Sequence, residues 1–222
     1  MQLPAVTSSP APLASPYGAE PGVPVRVMLL GVRVTAYAVI SLAEHQRREA
    51  AGLGAVINPA LLDRLMDLPI GIPVTDPVVW AEMADQPRGV LDRDADGTRI
   101  TRRLEPPLTI TDVVVDATTG KALRAVQDAS LFAGFTRRWI AATSRRIPEA
   151  AMLEAKLCGV GIVDTCGGLL RPAAKPEGLT RDGWSWLLEE KTYRRWLTRR
   201  TGDGEPESPA RPTDGASDAG AG

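Results

Sequence analysis

Apolar and polar positions follow two rhythms along this chain, and the second half shows them most clearly. Leu108–Asp116 is rich in β-branched residues, and Val113, Val114 and Val115 stand consecutively, as a strand buried on both faces requires. A helical period follows over Lys121–Phe135, with Leu123, Val126, Gln127, Ser130, Leu131 and Gly134 along one side. Trp139–Ala142 reads as the next strand, Pro148–Leu157 as a helix carrying Ala151, Met152 and Ala155, and Gly159–Val163 as a third strand. Gly167 and Gly168 then turn the chain into Leu169 and Leu170. Strand, helix, strand, helix, strand with short links predicts parallel strands joined by right-handed crossovers. The last periodic segment, Leu179–Arg200, is an amphipathic helix expected to pack Trp184 or Trp196, with Leu187, Leu188, Tyr193 and Leu197, on the sheet. Trp186 lies about 200° from Trp184 around such a helix and is expected to face solvent.

The first half is less regular. Val25–Val34 is apolar enough for a strand, and Val34–Ala51 reads as a helix with Ala36, Val39, Ile40 and Ala43 on its apolar face. Gly52 and Gly54 stop it. Asn58-Pro59 and Asp76-Pro77 are helix starts, a capping side chain followed by proline at the first helical position. They lead into Leu61, Leu62, Leu65 and Met66, and into Val79, Trp80 and Met83. A small helical subdomain and a winged-helix-like unit both suit this pattern. Asp92–Gly97 places acids at alternate positions before a glycine, as a calcium loop does, but Arg103 stands where such a loop needs its bidentate Glu. A hairpin turn between Gly89–Leu91 and Thr98–Leu104 is the better reading, because Asp-Gly favours tight turns.

These elements predict an α/β fold, a central mixed sheet with flanking helices, preceded by a small mainly helical part. The expected organisation is one domain over residues 25–200, divided at residue 87, between two disordered tails. Residues 1–24 hold six prolines without an apolar period, and residues 201–222 hold no large apolar side chain, so neither offsets its ordering entropy.

Composition excludes several classes of function. No apolar run approaches the roughly 18 residues of a membrane span, and no secretory leader is evident, so a cytoplasmic location is expected. Cys158 and Cys166 are two isolated thiols that read as reduced. His45 is the only histidine, so a zinc site built on several histidines is excluded and a Ser-His-Asp triad would have to use that residue. The net charge of −1 hides an uneven distribution: residues 121–200 carry fifteen Lys and Arg against eight Asp and Glu, while residues 201–222 are net −4. Such a basic half suits either a polyanion or simply solvated helix faces.

Two short motifs carry little chemistry. Gly159-Val160-Gly161 has Asp164 where a dinucleotide fingerprint needs its third glycine. Glu154-Ala155-Lys156 copies the Glu-x-Lys of metal-dependent nucleases, but within a helical period. The course of residues 108–171 says more. A strand ending in an acid, a helix with a central Gln, a strand with Trp139 and Ala142, a helix from Pro148 and then Gly159–Asp164 resembles the PD-(D/E)xK, or restriction-endonuclease-like, nuclease superfamily.

That resemblance implies a restriction-endonuclease-like fold and a metal-dependent phosphodiesterase site. The Glu-x-Lys strand would fall on Asp116-Ala117-Thr118, with Asp116 as a magnesium ligand and Thr118 where the family has its lysine. Lys121, one turn later, is the residue that could restore the cation, and Gln127 matches a glutamine of the following helix. Asp112 and Glu105 are the candidates for the second metal-binding acid, and Glu44 or Glu49 for the helical one. Asp116 has a plain reading as a strand end, Gln127 as a helix-surface residue, and Asp112 and Glu105 as solvated positions. Arg137, Arg138, Arg145, Arg146, Arg194 and Arg195 are the candidate phosphate contacts. The expectation is therefore a nuclease-like protein of DNA metabolism with an atypical site, using magnesium only if that site is active. The alternative is a non-catalytic accessory domain that binds nucleic acid, or a protein partner through the C-terminal helix.

Overall fold

The computed structural model describes residues 22–75, 83, 86, 89–117, 121–144, 146–164, 168–176 and 181–201. The helix expected at Asp76-Pro77, the Thr118–Gly120 turn, Arg145, Cys166 and nearly all of both tails lie outside them.

A six-stranded mixed sheet forms the centre. It starts with β1 (Val23–Leu29) and β2 (Val32–Ile40), which pair antiparallel across Leu30 and Gly31. Both turn residues have positive φ, 50° and 77°, as a tight two-residue hairpin requires. Helix α1 (Leu42–Ala50) follows, capped by the Ser41 hydroxyl, which accepts from the Glu44 amide. Helix α2 (Pro59–Met66) starts as the sequence predicts, with the Asn58 side chain accepting from the Leu61 amide and proline at its first position. The short strands β3 (Pro73–Val74), β4 (Leu91–Arg93) and β5 (Ile100–Arg102) form a separate sheet in the order β3-β5-β4. Asp94 closes the β4–β5 turn by accepting from the Thr98 and Arg99 amides and the Thr98 hydroxyl, so this acid serves the hairpin.

The second half runs as expected: β6 (Leu108–Ala117), α3 (Ala122–Ser130), β7 (Arg137–Ala142), α4 (Glu149–Cys158), β8 (Gly161–Asp164), β9 (Leu169–Arg171) and α5 (Gly183–Thr201). The order across the main sheet is β1-β2-β6-β7-β8-β9. β6, β7 and β8 are mutually parallel, while β2 and β9 run antiparallel to their neighbours.

Val113, Val115 and Ala117 point into the principal core with Val126, Ala129 and Phe132 of the α3 region and Ala155 of α4. Val114 points the other way, into a smaller cluster with Trp139 and Val163. Gly161 is required there: an added Cβ would collide with the Trp139 ring. A second core gathers Leu62 and Leu65 of α2, Leu91, Ile100, Trp186 and Leu187.

Two expectations need correction. The helix over Val34–Ala51 exists only from Leu42; Val34, Ala36 and Ala38 alternate as buried positions of a strand. The spacing of residues 36, 39, 40 and 43 fits a helix, but β-branched Val32, Val34, Thr35, Val39 and Ile40 suit a pleated surface better. The supposedly helical N-terminal part thus supplies two strands of the main sheet.

The second correction concerns the tryptophans. Trp186 is fully buried and Trp184 is 56% exposed. The reason is that α5 packs on α2 as well as on the main sheet, so its middle turns are covered on more than one side. Arg102 fixes the orientation. It donates to the carbonyls of Leu65, Leu68 and Leu104 and lies 4.7 Å from the Trp186 ring centroid.

Candidate functional site

Each residue proposed from the sequence, apart from Arg145 outside the described residues, has a definite place. Asp112 on β6 is completely buried. Its Oδ1 accepts from the Trp139 indole at 2.8 Å and faces Arg137 Nε at 3.0 Å, while Oδ2 accepts from Arg137 Nη2 at 3.1 Å. Both oxygens therefore join β6 to β7, an internal role that also neutralises Arg137. Asp116 is exposed near the end of the same strand, and Glu105 is exposed in the loop before it. Lys121 and Gln127 are exposed at the start and on the surface of α3. Glu154 and Lys156 lie on α4, as their helical period indicates.

Glu44 is buried rather than presented to a ligand. Burial raises its carboxyl, but hydrogen bonds from Arg47 and Arg48 outweigh that and hold it below the ordinary value. Glu49 is exposed, on the solvent side of α1. Among the described residues, no group of three or more His, Cys, Asp and Glu side chains is placed to hold a metal ion. His45 is buried, with Nδ1 2.9 Å from the Tyr193 hydroxyl and Nε2 against Arg200, packed edge-on to Trp196.

The candidate phosphate contacts separate into two groups. Arg138 is buried, its guanidinium pushed below the ordinary value by desolvation and its Nε without a hydrogen-bond partner among the described residues. Arg137 is committed to Asp112, and Arg146 is exposed ahead of α4. Arg194 and Arg195 instead line a cleft of about 520 Å³ between β1–β2 and α5. Its remaining walls are Arg26, Val27, Met28, Arg33, Lys191 and Thr198. Among the described residues, five cations and no carboxylate line it.

Local structure explains this convergence. Lys191, Arg194, Arg195 and Thr198 follow i, i+3, i+4, i+7 spacing and share one stripe of α5. In the β1–β2 register Arg26 is opposite Thr35 and Met28 is opposite Arg33, so Arg26 and Arg33 are diagonal neighbours on one sheet face. The side chains of Arg26, Lys191, Arg194 and Arg195 have no hydrogen-bond or ion-pair partner among the described residues. Their field is left uncompensated on this surface.

Arg26, Arg33 and Lys191 are absent from the residues singled out by sequence. The doublet Arg194-Arg195 drew attention, whereas Arg26 and Arg33 are isolated in apolar strands. Their signal was the alternation Val25-Arg26-Val27 and Val32-Arg33-Val34 about Leu30-Gly31, which describes a hairpin with basic residues on one side.

No helix among the described residues is long and apolar enough to cross a membrane. The chain matches no family model, no curated protein and no solved structure.

Proposed function

We propose that this chain is a non-catalytic nucleic-acid-binding domain that takes a phosphate backbone into the cleft between β1–β2 and α5. The observation that carries this reading is the set of five cations that line one cleft with no acid beside them among the described residues. Four of them are arginines, which can grip phosphate oxygens bidentately, and Met28 and Val27 offer only apolar surface between them. Phosphate contacts of this kind give affinity without sequence preference. The non-catalytic part of the reading follows from how the acids are used. Asp112 is bonded internally, and no group of three or more potential metal ligands occurs among the described residues. A restriction-endonuclease-like ancestry remains compatible with the mixed sheet and its parallel β6-β7-β8 centre, but a hydrolytic role has no assembled site among the described residues to rest on.

The test is fluorescence anisotropy with short labelled single- and double-stranded DNA, at several salt concentrations. Binding should be sequence-independent, and log K should fall with log salt with a slope of roughly −3 to −4.5, corresponding to four or five neutralised phosphates. The variant Arg26→Ala, Lys191→Ala, Arg194→Ala, Arg195→Ala should bind at least about tenfold more weakly, because it removes most of that charge. Arg99→Ala, in the β4–β5 turn, should bind as the parent does. Equal affinity of the fourfold variant and the parent would sink the reading.

A second reading has its own observation. Trp184 exposes over half of its surface at the start of α5, and a large aromatic side chain of this kind is a frequent anchor for a protein partner.

A further inference from the structure

We propose that the acidic segment Asp203–Glu207, which follows α5 directly, folds back into the basic cleft and competes there with nucleic acid. This rests on the proposed binding role of the cleft, and it adds a regulation of the same site.

Continuity is the first argument. Helix α5 both forms the basic wall and ends at Thr201, three residues beyond Thr198 at the edge of the cleft. Lys191 lies about 15 Å back along the axis at 1.5 Å per residue. Glu205 and Glu207 come four and six residues after Thr201, and an extended chain covers up to ~13 and ~20 Å over those lengths. Both carboxylates can therefore reach the stripe of Lys191, Arg194 and Arg195.

Charge complementarity is the second. Asp203, Glu205 and Glu207 alternate with Gly204 and Pro206, so three carboxylates occur within five residues with no cation between them. The cleft presents Arg26, Lys191, Arg194 and Arg195 without a paired acid. Carboxylate and phosphate offer guanidinium the same kind of acceptor, so one site accommodates either. An attached segment also competes at an effective concentration in the millimolar range, which no free carboxylate peptide would match at ordinary protein concentration. The acidic segment should therefore admit a polyanion of many phosphates while turning away isolated carboxylates and single phosphates.

Two measurements on the full chain test this, and only one of them involves nucleic acid. Zero-length carbodiimide coupling, read by peptide mass spectrometry, should join Glu205 or Glu207 to Lys191 Nζ within one chain at low salt. The link should disappear in high salt and in Lys191→Ala. In parallel, the neutralised variant Asp203→Asn, Glu205→Gln, Glu207→Gln should bind a labelled DNA duplex on the order of tenfold more tightly than the parent. A link together with tighter binding supports the proposal. A link without DNA binding by either form supports the seated segment and removes the nucleic-acid reading of the cleft. Unchanged DNA affinity with no link to Lys191 overturns the proposal while leaving that reading standing.

Discussion

Replacing Arg48 by Met tests a fully buried electrostatic assembly. Arg48 is completely buried on α1. Its Nε donates to Glu44 Oε1 at 2.8 Å, and Nη1 and Nη2 reach the two oxygens of Glu190 on α5 at 2.9 and 2.6 Å. Nη2 also donates to the Glu105 carbonyl at 2.7 Å. Burial lowers the guanidinium's proton affinity, and the bonds and charge of Glu190 and Glu44 more than reverse this, so it stays protonated. Methionine would keep most of the hydrophobic stem and remove the charge. Glu190, itself fully buried, would retain only the Val56 amide at 2.8 Å and the Trp186 indole at 3.1 Å. Leaving one member of a buried ion pair alone costs about 3–5 kcal/mol, or roughly 10 °C in Tm for a domain of this size. Equilibrium urea unfolding followed by circular dichroism measures this. Adding Glu190→Gln to Arg48→Met should restore part of the loss, because it removes the stranded charge. A cost below about 1 kcal/mol for Arg48→Met, or a double variant as unstable as the sum of the singles, would refute this account of the α1–α5 junction.

Glu189, one residue earlier on α5, should make stability depend on pH in the opposite sense to most carboxylates. Burial raises its pKa from 4.5 to about 7 despite a 2.8 Å bond from Arg181, and its Oε2 has no hydrogen-bond partner among the described residues. A raised carboxyl stabilises the fold fully below its unfolded pKa and loses that contribution as pH rises through the folded one. Between pH 4.5 and 7 the loss should approach about 3 kcal/mol, less whatever screening the half-exposed Arg181 brings. Glu189→Gln should flatten the urea midpoint over that window, and an unchanged profile in the variant would assign the dependence to another group. Trp186→Ala should cost about 3–5 kcal/mol and Trp184→Ala under about 0.5 kcal/mol. Comparable losses in the two variants would contradict the packing of α5 between α2 and the main sheet.

The part of the fold that could be read from sequence is the part in which one rule acts at a time. In β6 three consecutive valines demand burial on both faces, and Asn58-Pro59 caps and starts α2 by purely local chemistry. Residues 34–40 satisfy helical and strand spacing together, and pairing with β1 and β6 decides between them. That choice is tertiary. Helix α5 failed for a related reason: a single-face pattern assumes one packing partner, and this helix has two. Gly183 records the second partner, because an added Cβ would overlap the Asp63 carboxylate of α2. Nothing in the local sequence around Trp186 announces that contact.

The candidate site shows the same limit in its electrostatics. Arginine doublets mark where positive charge is concentrated in sequence, but a phosphate responds only to charge left uncompensated at the surface. Of Arg137-Arg138, one is bound to Asp112 and the other is buried. Arg47-Arg48 are taken up by Glu44 and Glu190. The doublet Arg194-Arg195 escapes because its stripe of α5 faces an edge hairpin that contributes Arg26 and Arg33 and no acid. A residue near the start of the chain and one near its end, 26 and 191, thus belong to a single electrostatic feature that exists only once β1 and α5 are packed together. The same argument bears on the acids. Asp112 can neutralise Arg137 and fasten β6 to β7 because both its oxygens are spent there, and a carboxylate so engaged is poorly suited to holding a hydrated cation. The interior uses its carboxylates to hold arginines in place, while Arg26, Lys191, Arg194 and Arg195 keep the freedom to meet an anion from outside.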